Sequence, residues 1–289
     1  MKILETHIVP AIFKKIRLQE YAVSVFTSIQ TRSGLKKAIK KGLLLIDGRK
    51  ATTADWIKEG QKIDLLQTEN TSKKIFRLNM EIVFEDNHIA IINKPTGYPT
   101  SGNYFRTIEN ALPHNLSPSK DIGSLPYPLP AHRLDNPTSG ILLCAKTRNS
   151  LANLQKSFAS KNIQKTYFAL VHGKVFSNRV IDSEIDGKPA KTVIGPINFF
   201  KIQEAFYTLL EAKPLTGKTH QIRIHLHRGG YPIVGDKIYG KGEKGYFKNK
   251  NLFLFSGKVK FLHPVTTQEM NFSLQLPKKF RVLENYRIS

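Results

Sequence analysis

Apolar and polar positions along the chain change period repeatedly, and those changes mark its elements. Ile16, Leu18, Tyr21, Val25 and Phe26 are spaced to predict a helix over residues 16–30. Thr31-Arg32-Ser33-Gly34 interrupts it, and Ser33 is the expected N-cap of a second helix over residues 34–41, stopped at Gly42. Leu35, Ala38 and Ile39 share the buried face of that helix. A short strand is expected at residues 43–46, turned by Asp47-Gly48, and another near residues 63–66. Residues 67–77 are mostly polar and have no period. The expected organisation is therefore a small domain over 1–68, a linker over 69–77 and a larger domain over 78–289.

In the larger part, Ile82-Val83-Phe84 and Ile89-Ala90-Ile91-Ile92 flank a polar turn and predict a hairpin. Thr107 opens a short helix ending near Leu112, and residues 113–130, rich in Pro and Ser, are expected to be irregular. Ile141 to Ala145 is an apolar run that predicts a buried strand. An amphipathic helix follows over 148–160, with Leu151, Leu154 and Phe158 on its inner face. Residues 165–171 alternate as a strand ended by Gly173. Further strands are expected at 191–194, 205–212, 252–255, 257–262 and 270–276. Strands outnumber helices and tight turns join several of them, which predicts an α+β class with a largely antiparallel sheet. Residues 216–240 support two readings. Ile222, Ile224 and Leu226 alternate as in a strand, whereas Thr219 as N-cap and Gly229-Gly230 as stop suit a short helix.

Composition narrows the partners. Lys and Arg number 45 against 22 Asp and Glu, a formal charge of +23 that attracts polyanions, nucleic acid first. On the second helix, Arg32, Lys36 and Lys40 recur every four residues, as do Lys37 and Lys41, so a basic surface lies beside the apolar stripe. Like charges at that spacing repel, and a phosphate backbone would relieve the repulsion. No apolar run approaches the roughly 20 residues of a membrane helix, and the N-terminus lacks the apolar core of a signal peptide. The single cysteine, Cys144, lies in an apolar run and excludes an internal disulfide. A cytoplasmic location is expected.

Two stretches are dense in chemistry. Residues 131–147 run from a polar knot, His132 to Gly140, into the apolar strand; Asp135 is the acid at its centre, with Arg133 two residues before it. Asp135 suits two roles, a turn cap or a reacting carboxylate. Residues 216–240 hold His220, His225 and His227, but HExxH spacing is absent and no carboxylate occurs there before Asp236, which weighs against zinc. Gly217-Lys218-Thr219 is no phosphate loop, because position 212, where its first glycine belongs, is Ala212. Arg223 is a candidate carboxylate partner.

These pieces carry a resemblance. INKPTG (92–97), HRLDNPTSGILLCAKT (132–147), KTYFALVHG (165–173), IDGKPAKT (185–192), LTGKTHQIRIHL (215–226), GYPIVGDKIYG (230–240) and FLHPVT (261–266) occur in the order found in the RluA family of RNA pseudouridine synthases, which residues 78–289 resemble. The segments RSGLKKAIKKGLLLIDGRKA and IKEGQKIDLL likewise resemble the small S-four-like RNA-binding domain. The resemblance implies a long mixed sheet with an RNA cleft across it, a small α/β RNA-binding domain before it, and catalysis without metal or cofactor.

It further implies that Asp135 is catalytic and that Arg133 replaces or holds the flipped nucleotide. Tyr167 would lie against the target base, and Arg223 would pair with Asp135. RNA contacts are expected at Arg133, at His132 and along the basic helix at Arg32, Lys36, Lys37, Lys40 and Lys41. The family pattern also favours a helix over 219–228. Asn136-Pro137 departs from it, since many members carry charged residues there.

The expected reaction isomerises uridine to pseudouridine in ribosomal or transfer RNA. Asp135 would either attack sugar carbon 1′ or remove the proton at carbon 2′. A monomer is expected. The alternative is a non-catalytic RNA-binding or ribosome-assembly factor, and a zinc hydrolase is the remote third reading.

Overall fold

A computed structural model describes residues 3–26, 29, 31–66, 74–121, 123–240, 242 and 245–288. Two compact units divide the chain, Met1–Lys73 and Lys74–Ser289. Among the described residues, no helix is long and apolar enough to cross a membrane.

In the first unit an antiparallel sheet runs in the order Ile3–Ile8, Lys62–Leu66, Leu44–Ile46, Arg49–Lys50. The helix Arg32–Lys40 lays Leu35, Ala38 and Ile39 into a core with Leu44, Ile46, Ile63 and Leu65. Its cap is Thr31, whose Oγ1 accepts from the Gly34 amide at 3.1 Å, two residues before the expected Ser33. The helix expected over 16–30 is broken up. A two-residue strand, Ile16–Arg17, pairs with Trp56–Ile57, and only Leu18–Tyr21 and a 3₁₀ turn, Ala22–Ser24, are helical. Residues 27, 28 and 30 of that expectation lie outside the described residues. Leu18, Ala22 and Phe26 are spaced by four and all buried, so the apolar period was real. Strand pairing with Trp56–Ile57 takes the segment's start, and the Val- and Ser-bearing end favours a tight turn over continued helix.

The second unit is built on an eleven-stranded sheet. Its main path runs Arg179–Asp182, Lys191–Ile202, Ala205–Pro214, Gln164–His172, Leu254–Leu262, Ser139–Thr147, Ile89–Lys94, Glu81–Glu85. Neighbours are antiparallel except at one junction. Ser139–Thr147 and Leu254–Leu262 run parallel and pair only at Ser139 with Phe255 and Gly140 with Ser256. Beyond it each takes a second partner, Ser124–Pro130 for the first and Glu269–Ser273 for the second. Gly140 has φ +114°, and a Cβ there would sit 2.2 Å from the Ser256 carbonyl oxygen, so no side chain fits. The loop bearing Asp135 enters this junction.

The strand Ser139–Thr147 is buried on both faces. Leu142 and Cys144 join one core with Ala90 and Ile92, whereas Ile141, Leu143 and Ala145 join another with Ile89 and Ile91. This explains an unbroken apolar run where a half-exposed strand would alternate. Burial pushes the Cys144 thiol far up, keeping it protonated and inert. The following helix, Arg148–Ala159, is capped by Thr147, whose Oγ1 accepts from the Ser150 amide.

Several boundaries differ from expectation. Residues 113–130 are not irregular throughout. The helix Ile108–Asn115 continues past Pro113, and Ser124–Pro130 is a strand despite its prolines. That strand lies off the main path of the sheet, and a residue without an N–H is tolerated on an edge. The strands expected at 252–255 and 257–262 are one, Leu254–Leu262. The pairing steps from Thr166–Lys258 to Tyr167–Ser256 and skips Gly257. A Cβ on Gly257 would meet the Phe168 ring at 2.4 Å, so glycine permits the bulge beside Tyr167. Lys191–Ile202 is three times the expected length, and the last expected strand covers Glu269–Ser273.

Of the two readings of 216–240, the helix holds, over Gln221–Arg228. Ile222 and Leu226 are buried one turn apart, a spacing that alternation also mimics. Thr219 is not its cap. His220 precedes the helix in the left-handed region, φ 55°, with no side-chain cap. Gln221 organises the entry instead. Its Oε1 accepts from the Thr216 hydroxyl at 2.7 Å and the Lys218 amide at 3.0 Å, while Nε2 donates to the Lys191 carbonyl and Thr192 hydroxyl.

Candidate active site

The loop before the parallel junction, the helix Gln221–Arg228 and the turn at Asp236 converge on one carboxylate. Arg223 Nη1 donates to Asp135 Oδ2 at 3.3 Å. The other side of the same guanidinium is clamped by Asp236, with Nε to Oδ2 at 2.7 Å and Nη2 to Oδ1 at 2.8 Å. The two carboxylates differ in setting. The Asp236 side chain is 1% exposed and that of Asp135 is 17% exposed, so the first is fixed and the second faces open space.

Asp236 also accepts from the amides of Ile238 and Tyr239 at 2.9 and 3.0 Å. Burial favours its neutral form, but Arg223 and these two amides outweigh it and hold the carboxyl below its ordinary range. Arg223 is conversely held above its ordinary range. Burial opposes its charge, and both aspartates support it. Tyr239 lies 5.1 Å from the guanidinium carbon, and its hydroxyl pairs with His220 Nδ1 at 3.1 Å. His220 Nε2 stands 3.9 Å from Asp135 Oδ1. Asp135 thus has a fixed cation on one oxygen and an imidazole near the other.

Tyr167 lines a cavity of about 130 Å³ together with Asp135, Arg223 and Leu254. It is 8% exposed, and its phenol is pushed up to about 12 by burial, with the Asp135 charge adding and a bond to Ser256 opposing. It therefore stays neutral across the physiological range and is able to donate and accept a hydrogen bond. Burial also pulls Lys165, on the rim of this cavity, below its ordinary value. Arg133 is exposed and borders the cavity, free of the packing that holds Arg223.

The backbone of the Asp135 loop has its own anchor. Lys94 is fully buried, and its Nζ donates to the carbonyls of Pro95, Asp135, Asn136 and Thr138 at 3.1, 3.3, 3.2 and 2.8 Å. Burial brings its ammonium down to about 8, with the Asp135 charge opposing. Thr100 fixes the residue before Asp135, its hydroxyl bonding both the amide and carbonyl of Leu134. Lys94→Met keeps the stem's volume and removes the donor. The Asp135 and Asn136 carbonyls keep second donors in the Thr138 and Gly97 amides. For the Pro95 and Thr138 carbonyls the expected cost is roughly 1–3 kcal/mol each, partly offset because a cation is no longer buried. A thermal melt should show this as a lowered midpoint, and hydrogen exchange should rise first across 135–139.

Other expected residues separate into groups. His132, expected at RNA, is bonded within the fold. Its Nε2 accepts from the Leu143 amide at 3.1 Å, and its ring packs on Phe158 at 4.5 Å. Burial, with Lys165 adding, lowers it to about 3, so it is a neutral prop for the loop. Lys36, Lys37 and Lys40 are exposed on the helix Arg32–Lys40, Lys41 is exposed at its C-terminal cap, and Arg32, also exposed, pairs with Glu20 at 3.2 Å. The three histidines diverge. His225 is buried between the Thr192 hydroxyl and the Ser183 carbonyl, His227 packs near Tyr239, and only His220 approaches Asp135. Among the described residues, no three His, Cys, Asp or Glu side chains are grouped to hold a metal.

Lys94 and Tyr239 are given no role by the sequence reading, and His220 and Asp236 enter it only in weighing zinc. INKPTG and GYPIVGDKIYG contain three of them, but a buried Lys and a turn Asp carry no local mark of their partners.

A family model described as RNA pseudouridylate synthase matches residues 88–228, which include Asp135, Tyr167 and Arg223. The chain is 36% identical over 240 residues to a ribosomal large subunit pseudouridine synthase C of Vibrio vulnificus, covering 75% of this chain and 72% of the relative. It is 30% identical over 280 residues to a ribosomal large subunit pseudouridine synthase D of Xanthomonas campestris, covering 88% and 83%. The fold is similar to that of the solved human RNA pseudouridylate synthase domain containing 1, with TM-score 0.60 and 22% identity over 77% of this chain and 92% of that one. An ordered set of motifs, a shared sheet and this degree of identity over most of both lengths place the chain in the RNA pseudouridylate synthase family.

Proposed function

We propose that the protein isomerises specific uridines of ribosomal RNA to pseudouridine, with Asp135 as the catalytic carboxylate. The observation that carries this reading is Asp135 held by Arg223 at 3.3 Å beside the buried phenol of Tyr167, in a chain related to ribosomal large subunit pseudouridine synthases.

The reaction breaks the bond from ribose carbon 1′ to base nitrogen, turns the uracil and joins its carbon 5 to the sugar, so no atom is gained or lost. An ionised Asp135 serves either opening step, attack at carbon 1′ or proton removal at carbon 2′. Arg223 supplies its compensating charge and, being clamped by Asp236, presents Nη1 in a fixed direction. A uridine inside a stack is out of reach, so it is flipped into the Tyr167 cavity, whose walls retain the detached base while it rotates. The proton that leaves carbon 5 balances the one gained at the freed ring nitrogen, and the Tyr167 hydroxyl is placed to relay it, passing its own proton on as it takes this one. Arg133, exposed at the cavity mouth, takes the vacated place in the stack.

The first unit is proposed as an S-four-like RNA-binding domain over 1–68, joined by a linker over 69–77 to a catalytic domain over 78–289. The cations on its helix supply affinity and register through phosphates. A monomer working in the cytoplasm, without metal or cofactor, completes the reading. The test is pseudouridine mapping of total RNA from cells with and without this protein. The expected result is one or a few uridines in large-subunit ribosomal RNA that lose the modification. An unchanged map, with the purified protein inactive on the same RNA, overturns the reading.

A further inference from the structure

Asp135 borders two cavities, and the proposed reaction occupies only the smaller. The second, about 460 Å³, shares Arg133, Asp135, His220 and Arg223 with the first but not Tyr167. It is more than three times larger and lies within the roughly 300–1,000 Å³ typical of ligand pockets. The smaller cavity suits one flat base whose ribose remains outside, at Asp135. The larger one has room for a base with its sugar.

Its lining matches a nucleotide. Pro99, Ile238 and Leu252 give it an apolar wall, and the amides of Asn136 and Asn251 bring donors and acceptors suited to a base edge. Lys237, exposed beside them, is placed for a phosphate. Asn136 also sits where the family pattern often has a charge. Its backbone is pinned, because its carbonyl accepts from Lys94 and from the Gly97 amide, while the residue itself is exposed. A pocket sharing a wall with the target's own pocket is one backbone step from the flipped uridine.

We infer that this second cavity receives the nucleotide adjacent to the target uridine, extruded with it, and that Asn136 and Asn251 select its base. The inference rests on the proposed isomerase reading. Target choice is then made by two bases read together, with Asn136 as a specificity residue and not part of the chemistry.

The test uses the full chain and transcribed large-subunit ribosomal RNA. The double variant Asn136→Ala, Asn251→Ala and, separately, Ile238→Trp, which fills the cavity, are compared with the wild type by mapping pseudouridine at every uridine. At wild-type sites kcat/KM should fall about tenfold or more, mainly through KM, and the double variant should also modify uridines with other neighbours. A second arm needs no variant to fold. On synthetic RNA spanning a mapped site, the wild type should lose a similar factor when one adjacent nucleotide is made abasic, and the double variant should lose nothing further. Unchanged kcat/KM, an unchanged set of sites and indifference to abasic neighbours, with the wild type active, overturn the inference and leave the isomerase reading standing. A wild type that forms no pseudouridine in any RNA overturns both.

Discussion

Asp135→Asn should abolish pseudouridine formation, lowering the single-turnover rate by roughly 10⁴–10⁶-fold, the scale seen when a reacting group is removed. Asparagine matches the carboxylate in shape but neither attacks carbon 1′ nor removes a proton. The fold should survive the change. Asp135 is partly open to solvent, and Arg223, which loses one partner, keeps both of its bonds to Asp236. The loop backbone is held by Lys94 and Thr100 through carbonyls and amides that the substitution leaves in place. A melting midpoint within a few degrees of wild type, with RNA affinity retained and product absent, is the expected pattern. Substantial turnover by this variant would remove Asp135 from the chemistry and leave the turn-forming reading of the loop.

Asp236→Ala should be the most damaging change to the site's support. It strips a bidentate partner from a guanidinium whose side chain is 3% exposed, leaving a buried charge with one longer bond to Asp135. Breaking a buried pair from one side costs about 3–5 kcal/mol. It also orphans the amides of Ile238 and Tyr239, which cap the same carboxylate. Denaturant unfolding should report that loss. Activity should fall roughly 10²-fold in whatever fraction stays folded, because Arg223 is then free to swing toward Asp135 and close the space the ribose needs. Asp236→Asn should recover part of the stability, since one amide oxygen still accepts from the guanidinium. A variant as stable as wild type would show that Arg223 does not depend on the clamp.

The site was partly legible before any fold was known. Asp135 and Arg223 stand out because a polar knot runs into a buried strand and an arginine sits in a histidine-rich stretch, whereas Tyr167, on an alternating strand, is picked out only by the resemblance to the RluA family. His132 shows what spacing leaves open. Its residue type suits an RNA contact, but the orientation of its ring is set by a strand amide eleven residues away and by Phe158. Lys94 gives no local sign of its role. Lysine is normally a surface residue, and only the return of four carbonyls from residues 95 and 135–138 makes its burial tolerable.

What the sequence determines by itself is therefore local. The Thr107 helix cap, the doubly buried strand after Gly140, the basic face of the helix Arg32–Lys40 and the net charge all follow from residue type and spacing, which act over a few residues. Tertiary structure decides the rest. It breaks the expected helix at 16–30 by pairing its start with Trp56–Ile57, makes a strand of Ser124–Pro130 by giving it an edge, and turns 221–228 into a helix by burying one side of it. It also brings Asp135, Arg223 and Asp236 within bonding distance although they lie up to 101 positions apart in the chain. Charge pairing of that kind depends on distance through space, and distance through space is set only once the sheet has closed around its two-residue parallel junction.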